Sequence, residues 1–423
     1  MPKFLHAADL HLDSPMRSLD VFGEGVADRL RNASREALRR LVDSAIEHQV
    51  GFVVVAGDLF DVAHPSVEAT LHLVDQLRRL CDRGIRVFIV RGNHDFHARG
   101  GSRLWPAGVH EFSSERAERI VLEDLRVVIH GRSYPTQAVA DDLTPGYAPP
   151  TPGYLDVGVL HTALEGYAGE HATYAPVTPA GLAAKGYGYW ALGHVHAFLS
   201  LQLGVSRIVY PGNLQGRHVR ETGRKGVVVV TYEGTEIRAV DRVACDVVRW
   251  HDIPVELPDG PLSTQFGHAA GEIGRALAED ERDQVDSALR VRLAGMGAEG
   301  VALSPRERRD RLREALRAQC GSRILLEEVR LADTTRLQLP GALADSVAKA
   351  ERHLAAQPDA GDLARFAANL WERLGAVEGP RNDAKSARDV LAGRLGIHDA
   401  QTLRRRAIEL GAARLAACLA EKV

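Results

Sequence analysis

The chain has 423 residues, of which 45% are hydrophobic, and its formal net charge at pH 7 is −3. This length and apolar content suffice for a buried core in about two or three domains. The small negative charge counts against a protein that holds nucleic acid by bulk electrostatics. The four cysteines are scattered and form no C-x-x-C pair, which predicts reduced thiols rather than a disulfide scaffold.

The chain enters an apolar run within its first few residues, and no apolar stretch reaches the roughly 20 residues of a membrane span. We therefore expect a cytoplasmic protein with neither a secretory leader nor a membrane partner. Any affinity for DNA must then come from local groups of basic residues rather than from the whole surface.

Apolar runs of strand length recur through the first 240 residues and are at first separated by helical patterns. Helices are predicted near 34–48 and 66–81. Strands are predicted at 52–56, 87–90, 127–129, 157–160, 190–192, 208–210 and 227–232. This order predicts a layered α/β core that becomes richer in strands toward its second half.

From about residue 251 the pattern changes, which predicts a small α/β capping domain over 251–335. Its elements are a helix at 262–280, a strand at 288–293, a helix at 305–318 with Ser304 as N-cap, and a strand at 324–331. Beyond 340 the chain is rich in Ala, Leu and Arg at helical spacing, and Ile408, Leu415 and Leu419 share one face. The simplest interpretation of this helical C-terminal region, 340–423, is packing; the alternative is docking of a partner.

Five short polar blocks follow apolar runs in the first half of the chain. They are Asp9-Leu10-His11, Gly57-Asp58-Leu59-Phe60-Asp61, Gly92-Asn93-His94-Asp95, His161, and Gly193-His194-Val195-His196. Any one block alone is more often a turn former or a satisfied polar residue. Five in order, each at the end of a predicted strand, indicate one site built on rigid elements.

The residue types in these blocks suit divalent metal ions. Imidazole nitrogens with carboxylate and amide oxygens bind Mn, Fe or Zn, and the lack of cysteine argues against a structural zinc. Seven candidate ligands exceed the needs of one tetrahedral ion, so we expect two ions about 3.5 to 4 Å apart, bridged by Asp58. The candidates are Asp9, His11, Asp58, Asn93, His161, His194 and His196. Such a pair clamps a phosphate and activates water.

His94 stands beside the candidate ligand Asn93 and is not itself required as a ligand. A histidine there can donate a hydrogen bond or a proton to the phosphoryl oxygen or the leaving group. We therefore predict a catalytic role for His94, with the neighbouring Asp95 orienting its ring.

The block set resembles the calcineurin-like metallophosphoesterase superfamily, whose pattern is D-x-H, G-D-x-x-D, G-N-H-D/E, H and G-H-x-H. The resemblance implies a layered β-sandwich core flanked by helices, with His94 as the catalytic histidine. It also implies two ligand sets. One metal would be held by Asp9, His11, Asp58 and His196, and the other by Asp58, Asn93, His161 and His194.

Within that superfamily, residues 5–13 and 57–61 look like the SbcD-type DNA repair exonucleases, and residues 210–218 resemble the YhaO-like branch. The resemblance covers about residues 1–240 and implies a Mn-dependent nuclease domain over 1–245. It further implies DNA and an SMC-like, SbcC-type ATPase as partners, a nucleoid-associated location, and a homodimer as a further expectation. The chain has no P-loop, so ATP chemistry would belong to the other subunit.

Two loops supply basic residues near the predicted centre, and in each case a solvated loop is the alternative interpretation. The candidates for substrate contact are Arg99, Arg103, Arg217, His218 and Arg220. Asp61 is a further candidate, because some nucleases of this type have a substrate-contacting histidine at the position that aligns with it. An aspartate there would position His94 or a water rather than stabilise phosphate charge.

Three functions are compatible with this sequence, because fold and metals do not fix the substrate. They are a DNA exo- or endonuclease, a phosphodiesterase or phosphatase acting on a small substrate, and a non-catalytic scaffold that retains its metals. The basic loops and the additional domain favour the first over the second, and the intact His94 favours both over the third.

Overall fold

The computed structural model describes residues 1–14, 24–61, 65–95, 105–167, 173–320 and 323–332. The predicted helical region at 340–423 and the loop residues Arg99 and Arg103 lie outside the described residues.

The described residues form fifteen strands and seven α-helices. The strands are β1 (Lys3–Ala7), β2 (Phe52–Ala56), β3 (Arg86–Val90), β4 (Val109–Glu111), β5 (Glu118–Leu122), β6 (Val127–Gly131), β7 (Leu155–His161), β8 (Tyr189–Gly193), β9 (Leu199–Leu203), β10 (Ser206–Tyr210), β11 (Gly226–Glu233), β12 (Glu236–Ala244), β13 (Val248–Glu256), β14 (Asp286–Ala294) and β15 (Ile324–Leu331). The helices are α1 (Glu24–Glu47), α2 (Val67–Cys81), α3 (Pro179–Ala184), α4 (Leu262–Ala276), α5 (Ala278–Asp283), α6 (Ala298–Ala302) and α7 (Pro305–Cys320).

Two six-stranded sheets form the core of the first part of the chain. One has the strand order β12-β11-β1-β2-β3-β4, and the other β5-β6-β7-β8-β10-β9. Strands β1 to β4 run parallel, as do β6, β7, β8 and β10. The outer strands β12, β11, β5 and β9 are antiparallel to their neighbours.

The two sheets pack face to face through alternate residues of their strands. On β2, Phe52 and Val54 join a cluster that also contains Val157 of β7 and Tyr189 of β8. The intervening Val53 points to the opposite side, where it packs with α1 and α2 residues. Because successive side chains of a strand point to opposite faces, a strand covered on both sides reads as a continuous apolar run. This confirms the predicted layered α/β sandwich with flanking helices.

The chain divides into two compact units. The first comprises the described residues of Met1–His251 with Glu279–Leu289, and the second comprises Asp252–Ala278 with the described residues from Arg290 onward. In the second unit α4 packs against α7, and α7 packs against β15. Strand β15 is an edge strand of a three-stranded sheet of order β13-β14-β15. The predicted domain boundaries, 1–245, 251–335 and 340–423, stay predictions.

The predicted helix at 262–280 is wrong in one respect, since the chain forms α4 and then a separate helix, α5. Between them Leu277 leaves the helical conformation, with φ −95° and ψ 4°. The short helix α5 carries Asp280 and Asp283, which pair with the buried guanidinium of Arg249 at 2.8 and 3.0 Å. These charge-assisted contacts fix α5 within the first unit.

Among the described residues no helix is long and apolar enough to cross a membrane. Cys81, Cys245 and Cys320 form no disulfide bond within the part of the chain that the structure describes. Cys418 lies outside the described residues.

Candidate metal centre

The five polar blocks meet at one edge of the sandwich. The blocks follow β1, β2 and β3 in one sheet and end β7 and β8 in the other. Within each sheet these strands are parallel, so their carboxyl ends lie together, as in other α/β proteins that bind ligands there. All seven candidate ligands lie at this edge: Asp9, His11, Asp58, Asn93, His161, His194 and His196.

Four of these candidate ligands have backbone angles that are unusual for residues other than glycine. The φ angles are 52° at Asp9, 45° at His11, 54° at Asp58 and 106° at His194. Hydrogen bonds between the loops hold this strained backbone: Asp9 N donates to Gly57 O and His11 N to Asp58 O, both at 3.0 Å. Strain of this kind concentrates at functional sites, where the surrounding structure offsets its cost.

His11 and His196 direct the same ring nitrogen at a common point. Their Nε2 atoms are 3.1 Å apart, and ligand atoms of Asp9, His11 and His196 all lie within 4.8 Å of one another. Asp58 Oδ2 is 3.9 Å from His11 Nε2. These donors match the first ligand set that the resemblance implies.

The second group forms around His161. Its Nδ1 donates to Ala56 O at 2.9 Å, which leaves Nε2 as the nitrogen that can bind a metal. That Nε2 is 3.0 Å from Asn93 Oδ1 and 3.5 Å from Asp58 Oδ2, and the His194 ring lies beside it with centroids 5.2 Å apart. Asp58 Oδ2 therefore lies within 4 Å of an Nε2 of each group, the position that a bridging carboxylate requires.

Burial and charge make this donor set suitable for divalent cations. Burial raises the pKa of Asp58 to about 6 and, with repulsion from Asp58, raises that of Asp9 well above its usual range. Burial lowers the pKa of His11 well below its usual value, so its ring is neutral, the form that binds metal. A dication between the two carboxylates would relieve their repulsion, and the donors fit the predicted ions.

His94 differs from the candidate ligands in its exposure. Its side chain is 40% exposed, whereas those of His11 and His161 are 2% and 0% exposed. Its backbone N donates to Asp58 Oδ1 at 3.0 Å, and its ring lies across that of His11 with centroids 5.2 Å apart. The imidazole therefore lies at the mouth of the centre, where a substrate would approach.

The carboxylate beside His94 is Asp61 and not Asp95. Asp61 Oδ1 is 3.4 Å from His94 Nδ1, whereas Asp95 accepts backbone hydrogen bonds from Phe60 and Gly92, each at 3.1 Å. Asp95 is buried and ties the loop after β2 to the loop after β3. The expected orientation of His94 by Asp95 is thus corrected: residues adjacent in a turn point to different sides, and Asp61 reaches the ring through space.

Asp61 is also paired with Arg217. Its Oδ1 accepts from Arg217 Nη1 at 2.9 Å and its Oδ2 from Ser14 Oγ at 2.7 Å. The other end of the Arg217 guanidinium donates to Glu221 Oε1 at 3.0 Å. Sequence reasoning missed Glu221, because the loop around it reads as basic; its one signal is an acidic residue within a basic stretch.

The described residues that were predicted to contact substrate differ in their exposure. The His218 side chain is 52% exposed and Arg220 is exposed, whereas Arg217 is only 17% exposed. Substrate contact by Asp61, Arg217, His218 and Arg220 stays a prediction.

Glycine at position 193 is required by the close approach of β8 to β2. A Cβ at Gly193 would lie 1.8 Å from the carbonyl oxygen of Ala56, the same oxygen that accepts from His161 Nδ1. The two strands therefore meet through backbone alone at the point where the metal ligands are placed.

We expect Gly193→Ala to displace the Ala56 carbonyl and with it His161, since no rotamer relieves a Cβ clash. The expected loss is about 1–3 kcal/mol in the free energy of unfolding, together with weaker metal binding. Thermal unfolding and metal analysis after dialysis measure both. Gly267→Ala is the matched control, because its Cβ meets its first neighbour at 3.9 Å; equal behaviour of the two variants contradicts the prediction.

The chain is similar to several known proteins. Residues 2–198 match the calcineurin-like phosphoesterase family. The uncharacterized metallophosphoesterase YhaO of Bacillus subtilis is 33% identical over 320 residues, which cover 75% of this chain and 77% of that protein. The DNA double-strand break repair protein Mre11 of Methanopyrus kandleri is 26% identical over 350 residues, covering 74% and 72% respectively. Among solved structures, a dimetal phosphatase from Danio rerio matches with a TM-score of 0.35 and 13% identity, covering 57% of this chain and 97% of that one.

The fold and the clustered His, Asp and Asn side chains define a metal-dependent phosphoesterase. The chain belongs to the calcineurin-like metallophosphoesterase family, as the matched residues and the likeness to YhaO show. The resemblance noted from the sequence blocks is thereby confirmed.

Proposed function

We propose that this chain is a nuclease that uses two divalent metal ions, with Mn²⁺ preferred, to hydrolyse phosphodiester bonds in DNA. The observation that carries the proposal is the convergence of two ligand groups on Asp58 beside the half-exposed His94. Bound ions would supply the charge that activates a water molecule and neutralises the phosphate. The remaining requirement, a proton for the leaving oxygen, falls to the chain itself.

His94 is suited to that task. Its Nδ1 lies 3.4 Å from both the backbone O and Oδ1 of Asp61, so a proton on Nδ1 has acceptors and Nε2 is directed away from them. A ring with protons on both nitrogens can donate from Nε2 to the leaving oxygen or to a phosphoryl oxygen while Nδ1 donates to Asp61, and it is left as the neutral imidazole. The His94 backbone N donates to Asp58 Oδ1 at 3.0 Å, which ties this donor to the candidate bridging ligand.

Several observations support DNA as the substrate. The likeness to the Mre11 protein of Methanopyrus kandleri, named for DNA double-strand break repair, covers 74% of the chain, well beyond the phosphoesterase match at 2–198. His218 and Arg220 lie exposed on a loop whose Arg217 reaches Asp61 of the centre. Local basic groups of this kind contact phosphates without sequence preference.

The second candidate is a phosphodiesterase or phosphatase of small substrates. It is favoured by the net charge of −3 and by the Arg217 guanidinium, whose two ends are bound by Asp61 and Glu221. Both reduce the positive field that a long polyanion would meet.

The proposal extends to a partner, an SMC-like ATPase of the SbcC type, docked through elements after the phosphoesterase domain. Its support is the resemblance to SbcD-type nucleases and the absence of a P-loop in this sequence. Co-purification of the full chain with such an ATPase is the test, and a nucleoid location is expected to depend on the same partner.

The function is tested with purified full chain and Mn²⁺ on linear, nicked and single-stranded DNA, beside bis-p-nitrophenyl phosphate and p-nitrophenyl phosphate. We expect cleavage of DNA and of the small diester, both lost on chelation of the metal. Cleavage of the small esters alone would favour the second candidate. Tight metal binding with no hydrolysis of any substrate would favour a non-catalytic scaffold and contradict the proposal.

A further inference from the structure

His196 is held from behind by a buried carboxylate. Its Nδ1 lies 2.8 Å from Glu221 Oε1, and its Nε2 faces His11 at the predicted metal position. A histidine binds a metal through one nitrogen only if the proton is on the other, and a carboxylate behind the ring selects that tautomer. Arg217 Nη2 also lies near this Nδ1, at 3.2 Å, beside Glu221 Oε1 at 2.8 Å. The guanidinium cannot accept a proton, so Glu221, at the shorter distance, is the acceptor that meets this requirement.

The carboxylate of Glu221 is itself fixed on both oxygens. Oε2 accepts from the backbone N of Arg217 at 2.8 Å and from Asn213 Nδ2 at 2.9 Å, while Oε1 accepts from Arg217 Nη2 at 3.0 Å. The residue is 7% exposed. These donors hold the buried carboxylate in one orientation. Its hydrogen bond with Nδ1 then fixes the orientation of the His196 ring.

Arg217 connects this carboxylate to the other histidine of the same group. Its Nη1 donates to Asp61 Oδ1, which lies 3.0 Å from His11 Nδ1. The His11 Nδ1 and Asp61 Oδ1 atoms are close but are not aligned as a hydrogen bond, whereas His196 Nδ1 and Glu221 Oε1 form one. The stronger constraint is therefore on His196.

We infer that Glu221 is a positioning residue that fixes the orientation and tautomer of His196 for one metal ion. Arg217 in turn holds the Glu221 carboxylate in place through its hydrogen bonds. The inference rests on the proposed metal centre. It gives Arg217 a task other than the substrate contact predicted from the sequence. The two predicted metal positions also differ, because His161 Nδ1 donates to the backbone carbonyl of Ala56 and not to a side chain.

The test is a Mn²⁺ titration of the full chain by isothermal calorimetry, with bound metal counted by mass spectrometry. Two variants disrupt this contact in different ways: Glu221→Gln places an amide NH2, a donor, where one of two accepting oxygens now faces donors, and Glu221→Asp keeps the charge but is too short to reach Nδ1. We expect each to raise the Kd of one ion by about 10- to 100-fold, with the other Kd changed less than twofold.

Asp156→Asn is the control. Asp156 is also a buried carboxylate, bonded to a histidine at 2.7 Å, but that partner is His130, outside the centre. It should leave both Kd values unchanged. Circular dichroism confirms that each variant is folded, and Glu221→Ala replaces any variant that is not.

Wild-type affinity for both ions in folded Glu221→Gln, or in folded Glu221→Asp, would overturn the inference, as would equal weakening of both ions. The outcome is independent of the nuclease assay. Selective loss of one ion in a chain that cleaves no DNA would retain this inference and contradict the proposed function.

Discussion

Asp58→Ala is expected to remove at least one of the two ions and to abolish hydrolysis of every phosphodiester. Asp58 Oδ2 lies 3.9 Å from His11 Nε2 and 3.5 Å from His161 Nε2, so one side chain serves both groups. Removing it takes away the bridge and leaves two incomplete ligand sets.

Metal content after dialysis, measured by mass spectrometry, checks this expectation. Asp156→Ala serves as a control for the loss of a buried carboxylate outside the centre. An Asp58→Ala protein that is folded and still carries two ions per chain would contradict the assignment of Asp58 as the bridge.

His94→Ala is expected to keep both ions and to lose turnover on the order of 10²- to 10⁴-fold. The reason is its position: the ring is 40% exposed at the mouth of the centre, while its backbone, which the substitution retains, holds Asp58. The loss should appear in kcat, since a proton donor acts in the transition state rather than in binding.

His110→Ala is the matched control, because His110 is also half-exposed, at 37%, and pairs with a carboxylate, that of Glu118. Kinetics on the small diester and metal analysis of the same preparations provide both readouts. If the metals are lost together with activity in His94→Ala, then His94 is a ligand and its assignment as proton donor is wrong.

Most of the central strands were predictable from the sequence alone. Strands β2, β3, β7, β8, β10 and β11 contain the predicted segments, because a strand buried on both faces has a continuous apolar sequence. The strands that were missed include β4, β5, β9 and β12, at sheet edges. Their exposed faces carry polar residues, so their hydrophobic pattern is short or alternating and resembles that of a loop.

The predicted start of the first long helix was also late. The apolar pattern begins near residue 34, whereas α1 begins at Glu24. In contrast, α2 was predicted within one residue, because Ser66 accepts from the backbone N of Ala69 as an N-cap. A side-chain cap is a local signal that can be read from the sequence. An apolar pattern, in contrast, marks only the part of a helix that packs against the core.

The sequence by itself determined the candidate ligands, because each follows directly after an apolar run and the end of a parallel strand has a defined place in the sheet. It did not determine which side chains form hydrogen bonds with these residues and with His94. Asp95, adjacent to His94 in sequence, binds backbone amides, while Asp61 and Glu221 approach His94 and His196 from 33 and 25 residues away. Only the tertiary structure decides such contacts, because hydrogen bonds between side chains depend on distance and direction in space, which loops set independently of sequence order.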